Sequence, residues 1–100
     1  MDEQLRSGRA FDVVLAGSDR IAQGALDALA LHQRRVPDDV AVVGFDNHAL
    51  AATTRPPLTT VEQPFRAEGH EAVDLMLALL DGQPPRSTVL PMRLVIRASA

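Results

Sequence analysis

Polar residues capable of chemistry gather where two apolar runs end. Ser18 and Asp19 follow "FDVVLAG", and Asp46, Asn47 and His48 follow "VAVVGF". A carboxylate accepts hydrogen bonds from hydroxyl groups, while a serine hydroxyl or an asparagine amide both donates and accepts, so such a set suits a neutral polyhydroxylated ligand. It suits phosphate poorly. A helix opening after Ser18 would welcome an anion, but Asp19 and Asp46 would repel one, and the chain has no glycine-rich phosphate loop. Plainer roles fit the same residues. Ser18 and Asp19 are good helix caps, Asp46 and Asn47 readily open a turn, and His48 suits a loop. His32 and His70 read as residues of solvated helix faces, and no two histidines have metal-site spacing, so neither metal nor cofactor is expected. Catalytic residues are not expected either: Ser18 follows Gly17 but lacks the second glycine of a nucleophile elbow. A phosphate-receiving domain would also end a strand on Asp, but it uses a strand-end lysine, and this chain has no Lys.

The elements that must carry these residues are legible from periodicity. Residues 11–17 and 40–45 are short apolar runs of the kind buried on both faces of a parallel sheet. Between them, Ile21, Ala22, Ala25, Leu26 and Leu29 recur at helical spacing, and the helix should stop before Val36-Pro37. Strand, helix, strand over this length is a βαβ unit, with parallel pairing and a right-handed crossover. Parallel strands bring their carboxyl ends to one edge of the sheet, where ligands bind. Ser18-Asp19 and Asp46-Asn47 should therefore meet on one rim.

"LTTV" reads as a third short strand. A second helix is predicted over about 64–81, with Phe65, Gly69, Ala72, Val73, Met76, Leu79 and Leu80 as its apolar stripe and Gly82 as its C-terminal cap. "TVLPMRLVIRAS" alternates, with Leu90, Met92, Leu94 and Ile96 on one face and Arg93 and Arg97 on the other. Pro91 marks it as an edge strand. The expected class is α/β, a mostly parallel sheet with flanking helices.

Composition narrows the function. A chain of 100 residues makes one modest domain that buries roughly two thirds of its unfolded surface. Apolar residues make up 46% and charged residues 23%, as in a globular protein with a packed core. The net charge is −3, the arginines are scattered, and Trp and Tyr are absent, so this chain has neither a phosphate-tracking stripe nor a base-stacking platform. Without cysteine there is no disulfide framework and no thiol chemistry. The longest nearly apolar run, Leu75 to Leu80, is too short for a bilayer, so no membrane partner is expected. "MDEQLRSGRAFD" has acids where a signal peptide needs basic residues, which gives a cytoplasmic expectation if Met1 is the true start.

Four segments, "FDVVLAGSDRIAQGALDAL", "VPDDVAVVGFDN", "PPLTTVEQPFRAEGHEAVDLML" and "LPMRLVIR", together resemble the C-terminal part of lactose-repressor/galactose-repressor transcription regulators, from about Ala10 to Arg97. The resemblance implies a partial periplasmic-binding-protein-like (type I) core, whose sugar-like effector lies between two lobes. It implies ligand-binding roles for Ser18, Asp19, Asp46, Asn47 and Gln63. Asn47 stands where the family commonly has a second Asp, which keeps a hydrogen-bonding group and removes a charge. Homodimer contacts are implied around Ala22 and Leu26 of the first helix and at Ala49, Leu50, Ala52 and Pro56 of the loop. For Ala22 and Leu26 a core role stands equally open, with Ile21, Ala25 and Leu29 expected to face the sheet.

The resemblance also implies an organisation. Residues 10–63 would belong to the C-terminal lobe, 64–82 to a helix of the other lobe, and 88–97 to a returning strand. The headpiece that binds operator DNA would lie outside this chain, and the opening segment resembles the tail of a helix interior to a longer core. The helix at 64–82 would then lack packing partners, and self-association is expected. The alternative is part of a periplasmic-type sugar-binding protein of a transporter, which would require a secretory signal.

Overall fold

A computed structural model describes residues 1–100. The elements in chain order are α1 (Asp2–Arg6), β1 (Val13–Leu15), α2 (Asp19–Leu31), β2 (Ala41–Asp46), a short 3-10 helix (Ala49–Ala52), β3 (Thr59–Glu62), α3 (Phe65–Leu80) and β4 (Arg93–Val95). The chain divides into two compact units, Met1–Glu62 with Arg93–Ala100, and Gln63–Met92.

The first unit holds a four-stranded sheet in the order β1-β2-β3-β4. β1 and β2 are parallel, with Leu15 opposite Val43, and β2 and β3 are parallel, with Asp46 opposite Glu62. β4 runs antiparallel to β3 on the far edge, with Arg93 opposite Glu62. The mostly parallel α/β expectation holds, and so does the edge position of the last strand. That strand is shorter than the alternating pattern suggests, because pairing begins only at Arg93.

α2 starts at the Ser18 cap, whose hydroxyl oxygen accepts the Ile21 N–H at 3.3 Å. It ends well before Val36-Pro37. Gln33 takes φ 56°, the Gln33 N–H donates to the Ala30 carbonyl at 3.0 Å and the Arg34 N–H to the Leu29 carbonyl at 2.9 Å. This left-handed closure satisfies the last carbonyls without help from proline.

The core is made by Ala22, Leu26 and Leu29 of α2 against Val40, Val42, Ala51 and Leu58, with Leu5, Phe11, Val14, Ala16 and Val36 packed around it. Two expectations need correction. β1 is not buried on both faces: Val14 packs on the core, while Val13 and Leu15 alternate to the other side and Leu15 is 76% exposed. The inward stripe of α2 is also rotated. Ile21 is 63% exposed, and Ala22 takes the inward position with Leu26 and Leu29.

The chain's last residues close the sheet below β2 and β3. The Val42 N–H donates to the Ser99 carbonyl at 2.8 Å, and the Ser99 N–H donates to the Pro57 carbonyl at 3.0 Å. The fully buried Ser99 hydroxyl donates to the Val42 carbonyl at 2.6 Å and accepts the Thr59 N–H at 2.8 Å. The tail thus supplies ladder partners before β2 and β3 begin to pair.

In the second unit α3 ends as its sequence predicts. Gly82 has φ 80°, its N–H donates to the Leu79 carbonyl at 3.1 Å, and the Gln83 N–H donates to the Ala78 carbonyl at 2.9 Å. The segment after the helix is tied back by Glu71, which accepts from Thr88 Oγ1 at 2.6 Å and Arg86 Nη1 at 3.3 Å. No residue of α3 is buried, and Val73, Met76, Leu77 and Leu80 are all exposed.

Candidate functional site

The parallel register brings the ends of β1 and β2 to one edge. The Ala16 N–H donates to the Val43 carbonyl at 2.8 Å, and Ser18 and Asp46 each follow within a few residues. Ser18 is half-buried, with extended backbone (φ −159°) and its hydroxyl turned to cap α2. Asp46 and Asn47 are also half-buried, and both take positive φ, 107° and 53°. Residues with a Cβ disfavour that region, so the turn must be supported from outside.

The support comes from Asp19, which is 1% exposed. Its Oδ2 accepts the His48 N–H at 2.6 Å, and its Oδ1 accepts the Thr60 hydroxyl at 2.5 Å. The Thr60 oxygen in turn accepts the Asn47 N–H at 3.3 Å. Asp19 was expected among the ligand contacts. It is instead enclosed, with both carboxylate oxygens occupied by the protein's own donors, which compensates its loss of water. Gly44 makes room for it: a Cβ there would overlap the Asp19 carboxylate and lie 2.8 Å from Leu58 Cδ2.

Asn47 is engaged on both sides. Its Oδ1 accepts Arg97 Nη2 at 2.8 Å, while Arg97 Nη1 donates to the Leu58 carbonyl at 2.8 Å. Its side chain also hydrogen-bonds Glu62. Glu62 accepts Arg93 Nε at 2.9 Å, and Arg93 Nη2 approaches the same oxygen. The Arg93 hydrogen bond is the chief cause that holds the Glu62 carboxyl below its usual range, with smaller contributions from the Arg93 charge, Asn47 and Arg97. An Asp in place of Asn47 would set a second carboxylate against Glu62, so an amide suits this position. The rim carries Asp46 and Glu62 against Arg93 and Arg97, a balanced charge set compatible with a neutral ligand. No group of three His, Asp or Glu side chains could hold a metal ion.

Gln63 is half-buried and opens the second unit, its carbonyl accepting the Phe65 N–H at 3.0 Å. His48 is exposed and serves the site through its backbone N–H. Of the two roles open to Ala22 and Leu26 of α2, the structure favours the core one: Ala22 is fully buried and Leu26 is 5% exposed, both packed in the unit's own core. The loop residues differ. Ala49 and Ala52 are exposed and Leu50 and Pro56 half-buried, while Ala51 between them anchors the 3-10 helix in the core.

Thr60, Glu62, Arg93 and Arg97 were not foreseen as site residues. Only Gly44 left a sequence signal, a glycine inside an apolar strand, which marks a close approach.

Comparison with known proteins adds the family. The model of the periplasmic binding protein-like domain matches residues 4–100. The chain belongs to that family. Within this periplasmic binding protein-like family it stands with the lactose-repressor/galactose-repressor regulators. It is 45% identical over 94 residues to the HTH-type transcriptional regulator MalR of Streptomyces coelicolor, covering 92% of this chain and 27% of that protein. The structure of the transcriptional regulator CelR in complex with cellobiose matches with a TM-score of 0.92 and 38% identity, covering 98% of this chain and 31% of that one. A lac repressor dimer bound to operator and an anti-inducer matches with a TM-score of 0.91 and 35% identity, covering 98% of this chain and 35% of that one. The chain thus spans about a quarter of the length of its curated relatives.

Proposed function

We propose that this chain is the effector-sensing and dimerisation part of a transcription regulator, and that its effector is a sugar or related polyhydroxylated molecule. Asp46 accepts ligand hydroxyls, and Ser18 donates or accepts on the same sheet edge. The observation that carries this reading is the half-buried Asp46 turn, set in left-handed backbone on the same sheet edge as Ser18. The cellobiose bound by CelR supports the ligand class. The dimer and its operator in the lac repressor support the assembly, with DNA contacted by a headpiece outside this chain. Both similar proteins are regulators, which favours this reading over a transporter's binding protein and makes a cytoplasmic location its natural setting. No helix is long and apolar enough to cross a membrane.

The site binds without turnover in this reading; the Ser18 oxygen accepts the Ile21 N–H to cap α2, and its proton and second lone pair remain for a ligand. The test is calorimetric titration of the intact regulator with cellobiose. Asp46→Ala is expected to weaken binding by at least ~1.5 kcal/mol, the scale of a hydrogen bond to a charged group. Affinity unchanged by that substitution would remove Asp46 from the site.

A further inference from the structure

We propose that Asp19 acts on the effector without touching it: its buried carboxylate fixes the turn that aims the Asp46 side chain, which makes it a positioning residue for the site. The inference rests on the reading of Asp46 given above and deepens it.

The geometry is directional. A hydroxyl has one proton, and Thr60 directs its own to Asp19 Oδ1 at 2.5 Å, which leaves its lone pairs to receive the Asn47 N–H at 3.3 Å. The other oxygen of Asp19 receives the His48 N–H at 2.6 Å. One carboxylate therefore orders two successive backbone N–H groups, directly at His48 and through Thr60 at Asn47. These groups follow immediately on Asp46 and flank Asn47, the second of the two residues held at positive φ. An amide substitutes only in part: with its one acceptor on the His48 N–H, its NH2 faces Thr60, whose hydroxyl must then turn its proton away, and both bonds lose the carboxylate's charge. Asp19 belongs to α2 and Thr60 to β3, so the aim of Asp46 depends on both elements keeping their places beside β2.

Two measurements test this. In the chain itself, amide exchange followed by NMR is expected to quicken roughly tenfold at Asn47 and His48 in Asp19→Asn and at Asn47 in Thr60→Val, as the bonds that hold these groups are weakened or lost, while Val42 and Leu29 stay protected. Thr60→Ser keeps the hydroxyl and should restore protection at Asn47. Exchange at both positions unchanged by Asp19→Asn and Thr60→Val overturns the proposal. Should Asp19→Asn fail to fold, the Thr60 pair carries the comparison.

In the intact regulator, cellobiose affinity is compared for Asp46→Ala, Asp19→Asn and the double variant. If Asp19 works by aiming Asp46, the double variant binds no more weakly than Asp46→Ala alone, and fully additive losses overturn that route. Affinity unchanged in Asp46→Ala strikes the effector reading instead, and the exchange measurement then decides the positioning role by itself.

Discussion

The Asp19 carboxylate accepts the backbone N–H of His48 across 29 residues of chain, at 2.6 Å. A helix's first residue thereby holds the loop that follows the neighbouring strand. Such a bond forms only when α2 lies on β2 in the observed register, so the polar rim and the apolar core are built by the same packing.

Gly44 provides the space for that carboxylate. Gly44→Ala would push a methyl group into Asp19 Oδ1 and Leu58, and Asp19 Cα at 3.3 Å leaves the backbone little freedom to retreat. The expected loss is about 1–3 kcal/mol, the scale of an overpacked core. Urea denaturation of the two chains measures it, and equal midpoints with equal slopes would contradict the close approach.

Ser99 is expected to matter although it lies next to the end of the chain. Ser99→Ala removes a buried hydroxyl and leaves the Thr59 N–H and the Val42 carbonyl each without that partner. A destabilisation of about 1–3 kcal/mol follows from leaving buried polar groups unpaired. Thermal unfolding followed by circular dichroism would show it as a lower midpoint; a midpoint equal to that of the unmodified chain would mean that the tail does not pair as described.

Leu26 and Leu80 separate core from contact surface. Leu26 is 5% exposed and Leu80 is 77% exposed. Leu26→Ala should cost about 2–5 kcal/mol at any protein concentration, as cavity-forming substitutions do. Leu80→Glu should leave that stability nearly unchanged and shift sedimentation toward smaller species, because it charges the apolar face of α3. A chain that sediments as a monomer at high concentration before any substitution would count against association through that helix.

The Glu62–Arg93 contact sets a pH dependence. Arg93 lowers the Glu62 carboxyl below its ordinary value of 4.5, so the folded state binds this proton less readily than the unfolded one. The contact's contribution is complete above the ordinary value and is lost as pH falls through the lowered one. Both side chains are partly or largely exposed, so the effect on stability is small. Arg93→Ala should return the Glu62 titration, followed by carboxyl carbon shifts, toward the ordinary value. An unmoved titration would mean that Arg93 does not hold Glu62.

Much of the fold was readable because local rules are strong where apolar residues recur at fixed periods. The strands around Val14 and Val42, the Ser18 cap, the Gly82 terminus of α3 and the edge position of β4 follow from spacing and backbone preference alone. Inward orientation was harder. Ile21 and Ala22 are neighbours on one helix, and a rotation of one position changes which faces the sheet. That choice depends on how α2 sits over Val40, Val42 and Leu58, and neighbours so distant in sequence leave no mark in its own periodicity.

The candidate site divides in the same way. Residue type and position after an apolar run by themselves determined that Ser18, Asp19, Asp46 and Asn47 would share one sheet edge, because parallel pairing carries successive strand ends to the same rim. Tertiary structure alone decided their roles: Asp19 inward to brace the turn, Asn47 between Arg97 and Glu62, and Asp46 held in left-handed backbone. The physical reason is that a hydrogen bond depends on distance and direction. Thr60 stands 41 residues from Asp19 in sequence, and only the folded sheet brings its hydroxyl to 2.5 Å from that carboxylate.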